Sequence, residues 1–487
     1  MALSFHPTDE QCAAVEAALL GGNLKIKAFA GAGKTSTLQL LASAFGQRRG
    51  LNKALKSDNS AAAPRKFPMH VPARTIHAQA WCAADSTLRR RGSLDAEPPH
   101  VLATRLGIGA VQVRSVTNRM VELMPFETGR IVADALGWFC RSADPQPEAS
   151  HIVVDEKIDG ADAAQLRHCL LPFVRRLWED SAAPRAHSAV TPDIVLKLWA
   201  MSAPLIDGDY FLFDEAQDSV GVMLSVLARQ RHAQVISVGD PYQQIYEWRG
   251  AVNAMGHIHA PQCALTESFR FGPTFAALAS RLLAQLGERT PLRGQDSIGS
   301  ILVEDPSLAP PVDAVLCRKN VTAIGQLAAG IEMGHRPAIR MSTAEITAFA
   351  DGADQLLAGQ RTFRPAAFSL FENWSEAQAF ARTPFGQDLL PVVLIVDELG
   401  TGCLRALAKQ CTPERNADYV ISTVHRAKGL EWKRVRGQTT SDSGAATEVR
   451  FLTKTSCGCF TWLSRAQHVL DISLMRSELL RLVTCGM

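Results

Sequence analysis

One octapeptide near the N-terminus, AFAGAGKT at residues 28–35, has the residue types and spacing of a phosphate-binding loop. It follows an alternating apolar stretch typical of a strand and precedes a sequence typical of a helix. Gly31 and Gly33 allow backbone N–H groups to converge on phosphate oxygens, and the helix N-terminus adds partial positive charge. The pattern predicts a P-loop in which Lys34 reaches the β- and γ-phosphates and Thr35 holds Mg²⁺. The alternative is an ordinary glycine-rich turn, because the usual first glycine is replaced by alanine.

A pair of carboxylates supplies the partner that such a loop needs. The apolar run Tyr210–Phe213 is typical of a buried strand, and it ends in Asp214 and Glu215. We expect Asp214 to hold Mg²⁺, directly or through water, and Glu215 to polarise an attacking water. Without the P-loop, the same residues would be read as a solvated acidic turn.

Aromatic and polar side chains follow the next predicted strand, at 235–238. Tyr246 and Trp248 stand beside Arg249 in a polar segment. Aromatic rings next to an arginine on a loop suit stacking on single-stranded bases. The alternative for these rings is core packing.

Composition limits the class of protein without naming its ligand. The chain has 487 residues, 47% of them hydrophobic, with a net charge of +3. This length predicts at least two domains, and so small a charge means that a nucleic-acid partner needs a local basic surface. The eleven cysteines lack paired Cys-x-x-Cys spacing, which disfavours a zinc site and fits a reducing cytoplasm. We expect no signal peptide and no membrane span, and we interpret the longest apolar run, 389–396, as a core strand.

Strand-like runs alternating with helical patterns predict an α/β fold with two parallel-sheet units. The runs lie at 24–29, 210–213, 235–238, 263–265, 314–317, 419–422 and 469–474. Residues 91–200 are predicted to form a helical insertion subdomain in the first unit, and residues 343–415 a small insertion in the second. Basic runs in the first half, such as Arg89–Arg91, are interpreted as solvated faces.

Taken together, motifs spanning residues 5 to 468 resemble the UvrD/Rep class of superfamily 1 DNA helicases, and most of all the compact branch that includes the F-box DNA helicases. The resemblance implies two RecA-like P-loop NTPase domains, at 1–90 with 201–275 and at 276–342 with 416–487, closing on ATP and Mg²⁺. It implies 3′-to-5′ movement on single-stranded DNA, binding at ss/ds junctions, and a role in DNA repair or recombination. The expected location is the cytoplasm, at the nucleoid if the source is bacterial. No membrane partner is expected, and no protein partner is identified.

The resemblance also assigns roles around the nucleotide. Gln11 matches the residue that reads the adenine edge, Phe269 the ring that packs on adenine, and Glu431 the contact to the sugar. The loop contacts are Ala30, Gly31, Ala32, Gly33, Lys34, Thr35 and Ser36. Gln243 matches the γ-phosphate sensor, while Arg270 and Arg465 match two arginine fingers. An arginine finger is worth roughly 10³–10⁵ in rate in related chemistry.

DNA contacts are implied at seven positions: Thr75, His77, Tyr246, Trp248, Arg249, His425 and Lys428. Both His425 and Lys428 stand in the run Ser422–Trp432, which is the strongest late match.

Two segments depart from the family pattern. Residues 45–51 make a poor strand, so a sheet strand is predicted to be shortened or missing there. Residues 437–462 lack an expected strand and carry Trp462 in place of a small residue; we interpret them as diverged or as read in a shifted frame. These departures leave two alternatives to a helicase: a DNA-stimulated translocase that does not unwind duplex, and a catalytically impaired relative that binds nucleotide or DNA.

Overall fold

The computed structural model describes residues 6–54, 67–68, 70–93, 97–114, 118, 120–155, 158–183, 188–244, 254–362, 364–368, 371–382, 389–438 and 460–475. The chain divides into two compact units. The first contains Met1–Ala28 and Lys34–Leu265, and the second contains Phe29–Gly33 and Thr266–Met487. Each unit is built on a six-stranded sheet in which every described pairing is parallel. The predicted α/β fold is confirmed, and it is the architecture of P-loop NTPase domains.

The sheet of the first unit has the strand order β3-β2-β6-β7-β1-β8. Its central strands β6 and β7 are buried along their whole length, as expected for strands covered on both faces. A separate antiparallel hairpin joins β4 and β5. The strands are β1 (Leu24–Ala28), β2 (Gly50–Ala54), β3 (Ala73–Thr75), β4 (Val111–Arg114), β5 (Met120–Leu123), β6 (Tyr210–Phe213), β7 (Gln234–Gly239) and β8 (Gln262–Leu265).

The helices of the first unit cover this sheet and fill the segment 91–200. That segment contains helices and also carries the β4–β5 hairpin. Its apolar residues, Phe139 among them, belong to the same hydrophobic core as Phe211 and Phe213 of the sheet. The helices are α1 (Asp9–Leu19), α2 (Lys34–Ala44), α3 (Ile76–Ala83), α4 (Ser86–Arg91), α5 (Pro99–Leu106), α6 (Pro125–Arg141), α7 (Gly160–Ala182), α8 (Pro192–Met201), α9 (Gly221–Ala228) and α10 (Ala254–His257).

The sheet of the second unit has the order β11-β16-β15-β12-β14-β13, beside a small two-stranded pair of β9 and β10. The strands are β9 (Glu267–Ser268), β10 (Arg293–Gly294), β11 (Ile301–Val303), β12 (Ala314–Cys317), β13 (Ala338–Ile339), β14 (Val420–Thr423), β15 (Trp432–Gln438) and β16 (Ala466–Asp471). The helices are α11 (Pro273–Gln285), α12 (Asn320–Glu332), α13 (Thr343–Leu357), α14 (Trp374–Ala381), α15 (Leu390–Leu399) and α16 (Thr401–Gln410).

The apolar run at 389–396 forms helix α15, so its interpretation as a core strand was wrong. Pro391 occupies the first turn, where its missing N–H costs no hydrogen bond. Val392, Val393 and Val396 are the buried residues, a spacing that places them on one helical face.

The strand predicted to be shortened or missing near residues 45–51 is not missing, because β2 forms between β3 and β6; only Gly50 and Leu51 of that segment belong to it. The strand begins at Gly50, where a Cβ atom would overlap the ring of Tyr210. Phe45 packs on that ring as well, with ring centroids 4.4 Å apart. The poor strand sequence is therefore compensated by a tertiary contact that needs glycine at its first position.

The first two residues of the segment 437–462 are the end of β15, which runs from Trp432 to Gln438. Trp462 is 2% exposed, and a Cβ atom on Gly437 would overlap its indole. Glycine in the neighbouring strand thus makes room for the large residue. Residues 439–459, which include most of this departure, lie outside the described residues.

Among the residues that the structure describes, no helix combines the length and the apolar character needed to cross a membrane.

Candidate nucleotide and nucleic-acid sites

The carboxyl ends of three adjacent strands in the first unit bring together three of the predicted catalytic residues, Lys34, Glu215 and Gln243. Strands β6, β7 and β1 are neighbours in the sheet. Lys34 is the first residue of α2, close after β1, while Asp214 follows β6 and Asp240 follows β7. Because parallel strands end at one edge of a sheet, these chemistry-bearing side chains converge there. We call Lys34, Asp214, Glu215, Gln217, Asp240 and Gln243 the strand-end cluster.

Asp214 lies in a strongly perturbed electrostatic environment. Loss of hydration together with the charge of Glu215 raises the pKa of Asp214 to about 7, although the positive charge of Lys34 opposes the rise. A carboxyl group held so high beside a second carboxylate is a place where a divalent cation relieves charge repulsion. The residues present therefore fit the Mg²⁺ predicted at Asp214 and Thr35. Among the described residues no group of three or more His, Cys, Asp and Glu side chains is arranged to hold a metal ion by itself.

Glu215 is held in an uncommon backbone conformation. Its φ of 53° and ψ of 42° place it in the left-handed region, which costs a non-glycine residue about 1–3 kcal/mol. Its N–H donates to Asp214 Oδ1 at 2.9 Å, and Gln217 Nε2 donates to its Oε2 at 2.5 Å. These contacts fix the direction of the carboxylate that was predicted to polarise water.

A chain of hydrogen bonds continues from Glu215 to the predicted phosphate sensor. Gln217 Oε1 accepts from the N–H of Asp240 at 3.0 Å, and Gln243 Nε2 donates to Asp240 Oδ2 at 2.6 Å. Burial raises the pKa of Asp240. Lys34 and the hydrogen bond from Gln243 act in the opposite direction, but the pKa remains raised overall. Gln217 and Asp240 were not predicted as site residues. The sequence did offer one signal for them, because each lies shortly after the end of a strand that is followed by predicted site residues.

Gln11 occupies a different environment from the strand-end cluster. It is 2% exposed and forms a capping box with Thr8 at the start of α1. Its Oε1 accepts from the Thr8 N–H at 3.1 Å, and its Nε2 donates to Thr37 Oγ1 of α2 at 3.2 Å. Both ends of the Gln11 amide therefore have protein partners. These partners fix the orientation of the amide beside α2, the helix that follows the P-loop.

In the second unit, the start of the P-loop contacts the segment after β8. Gly31 has a φ of 74°, and its carbonyl accepts from the N–H of Phe269 at 2.9 Å. A Cβ atom on Gly31 would lie 2.5 Å from Ser268 Oγ and 2.8 Å from Arg270 Cβ. Glycine is thus required here both by conformation and by space. Phe269 keeps 40% of its surface exposed, so its ring face is accessible to a planar ligand.

Arg270, Glu431 and Arg465 lie together in the second unit. Arg270 donates to Glu431 Oε1 at 2.5 Å and to the carbonyl of Ser464 at 2.6 Å. Gln467 donates to the other Glu431 oxygen at 3.0 Å. Burial raises the pKa of Glu431, but Arg270, Gln467 and Arg465 together outweigh it, so the net pKa is lowered. The Arg465 side chain is 2% exposed and donates to Thr461 O, Ser464 Oγ and Leu430 O.

Two of the DNA-contact residues predicted in the first unit, Thr75 and His77, lie at the start of helix α3. Thr75 caps it, accepting from the Ala78 N–H at 3.0 Å. His77 Nε2 lies 3.0 Å from Asp193 Oδ1 on α8, and Arg141 of α6 donates to Asp193 Oδ2 at 3.1 Å. Burial raises the pKa of Asp193, but His77 and Arg141 more than offset it, and the pKa is lowered.

The remaining predicted DNA contacts lie after β14 or outside the description. His425 is exposed and Lys428 half-buried in the turn that follows β14. Tyr246, Trp248 and Arg249 lie outside the described residues, so their stacking role stays a prediction.

The two parallel sheets are consistent with P-loop NTPase domains. Consistently, the model of an AAA domain family matches residues 11–249. The chain is 28% identical over 471 residues to F-box DNA helicase protein 1 of Schizosaccharomyces pombe, covering 88% of this chain and 52% of the relative. It is 28% identical over 451 residues to F-box DNA helicase 1 of Gallus gallus, covering 85% and 42%. The predicted resemblance to superfamily 1 DNA helicases of the F-box helicase type is confirmed, and the chain spans about half the length of these curated relatives.

Proposed function

We propose that this chain is an ATP-driven DNA helicase or translocase that moves 3′ to 5′ along single-stranded DNA. The observation that carries the proposal is the strand-end cluster, where Lys34, Asp214 and Glu215 share one electrostatic environment after adjacent parallel strands. The two F-box DNA helicases to which the chain is similar support DNA as the polymer. The proposal also includes a role in DNA repair or recombination, located in the cytoplasm or at a bacterial nucleoid.

Hydrolysis is assigned to Glu215. Its carboxylate would accept a proton from the attacking water, in the orientation that the hydrogen bond from Gln217 gives it. Lys34 would bind the β- and γ-phosphates, and Mg²⁺ held by Thr35 and Asp214 would neutralise developing charge when bound. Arg270 and Arg465 are proposed as the arginine fingers.

Coupling to the polymer is assigned to Gln243 and to the DNA-contact residues. Gln243 is hydrogen-bonded to Asp240, which bonds through Gln217 to Glu215, so a change at the phosphate can reach the residues after β7. Thr75 and His77 of the first unit and His425 and Lys428 of the second would contact the strand. Binding should weaken steeply with salt if several phosphates are contacted.

The test is ATP-dependent strand displacement from a duplex that carries a 3′ or a 5′ single-stranded tail. We expect displacement from the 3′-tailed substrate, abolished in Lys34→Ala. Lys409→Ala, which removes an exposed charge from the end of α16, is the matched control and should displace like the wild type.

Three other results would contradict parts of the proposal. DNA-stimulated ATP hydrolysis without strand displacement would mean that the protein moves along DNA but does not unwind duplex. Displacement only from the 5′-tailed substrate would contradict the direction. An ATPase that single-stranded DNA does not stimulate would contradict both motor functions.

A further inference from the structure

Helix α3 carries an exposed indole one turn beyond a predicted DNA contact. Ile76 and Ala80 form the buried side of the helix, while Trp81 keeps 36% of its surface exposed. His77 and Trp81 are four residues apart, so they are neighbours on the same helical face. A ligand that contacts Thr75 and His77 would reach Trp81 next along this helix.

The indole of Trp81 is held in place from one side. A Cβ atom on Gly92 would overlap its six-membered ring, so the ring packs directly on the glycine backbone. A ring held in this way loses little conformational entropy when a ligand covers its exposed surface. The arrangement suits a planar partner.

The basic run Arg89–Arg91 was interpreted as a solvated face, yet its members differ. Arg89 donates to the carbonyls of Ala84 and Cys82 at the end of α3. Arg91 donates to backbone carbonyls at the end of α7. Arg90 is exposed and has no hydrogen bond or ion pair with any residue that the structure describes. Of the three cations, this one is available to an anionic partner and lies two residues before the glycine under Trp81.

We propose that Trp81 is a platform on which one nucleic-acid base stacks. It would extend the surface that binds a single strand beyond Thr75 and His77, and Arg90 would contact a neighbouring phosphate. The ligand class is single-stranded nucleic acid, because an exposed ring, with an arginine on the next helix that has no partner among the described residues, matches the base and a phosphate of such a strand. This inference rests on the proposed function, in which Thr75 and His77 contact the strand.

The experiment compares binding to two labelled backbones of equal length, oligodeoxythymidylate and an abasic oligodeoxynucleotide, by fluorescence anisotropy at several salt concentrations. If one base stacks on Trp81, Trp81→Leu should raise the Kd for the thymidylate by about 5- to 150-fold. Trp81→Phe should raise the Kd for the thymidylate less than Trp81→Leu does. On the abasic strand, Trp81→Leu should bind like the wild type, because no base is present to stack.

Two further variants separate this role from packing. Trp81→Leu keeps an apolar side chain against Gly92, and Trp199→Leu, at another partly buried tryptophan, should leave both affinities unchanged. Arg90→Gln should weaken binding to both strands and reduce the salt slope by about one.

Equal losses on both strands, or no loss, in Trp81→Leu would overturn the platform while leaving the proposed function intact. A wild-type protein that binds neither strand would overturn the proposed function and the platform together.

Discussion

Replacing Gln217 with methionine removes the hydrogen bonds that join Glu215 to Asp240 while conserving side-chain volume. Gln217 is fully buried, accepting from the Asp240 N–H at 3.0 Å and donating to Glu215 at 2.5 Å. Leaving the buried Asp240 N–H without its partner costs about 1–3 kcal/mol. The lost bond to partly exposed Glu215 adds less, because water can replace it. We expect a decrease of about 1–4 kcal/mol in the free energy of unfolding, measured by urea denaturation.

The same substitution should lower the kcat of DNA-stimulated ATP hydrolysis. A well-placed general base is worth about 10²–10⁴ in rate, so partial loss of its orientation should cost about 10- to 100-fold. Gln230→Met is the matched control, since Gln230 is buried and bonds to Ile206 N, Pro204 O and Val226 O away from the cluster. It should destabilise the protein similarly but keep kcat. Equal kcat values for the two variants would refute the proposed role of Gln217.

Three further predictions concern other parts of the chain. Asp193→Ala should weaken single-stranded DNA binding about fivefold in anisotropy measurements, equivalent to about 1 kcal/mol, because His77 loses its partner; unchanged affinity would contradict this. Gly437→Ala should destabilise the second unit by about 1–3 kcal/mol in urea denaturation, and the loss should shrink in a Trp462→Leu background if overlap with the indole is the cause. Asp214 has a raised pKa in the folded state, so its ionisation should reduce stability as pH rises from about 4 to about 7, by up to about 4 kcal/mol; in EDTA, Asp214→Asn should make this decline smaller, leaving the part due to Asp240, and a decline of unchanged size would contradict it.

Strands β6 and β12, one in each sheet, could be predicted because they are buried on both faces. Continuous apolar runs mark β6 and β12, and the structure has them at the predicted residues. Acidic residues directly after such a run, as at Asp214, could be placed at the sheet edge from topology alone. The expectation of parallel sheets therefore needed only local sequence.

What could not be predicted depends on contacts between distant residues. The run at 389–396 is too short for periodicity to separate a strand from a buried helix. Strand β2 depends on the ring of Tyr210 over Gly50, which only the folded sheet brings together. Gln217 bonds to a residue 23 positions away, so its link to the site is invisible in either motif alone.

The most direct test of the account is ATP turnover with and without single-stranded DNA in the wild type, in Glu215→Gln and in Glu122→Gln, a control at an exposed position of β5. The account predicts DNA-stimulated turnover in the wild type and the control. It predicts that Glu215→Gln still binds a fluorescent ATP analogue but turns over at least about a hundredfold more slowly. Turnover by Glu215→Gln at the wild-type rate would contradict the assignment of hydrolysis to the strand-end cluster.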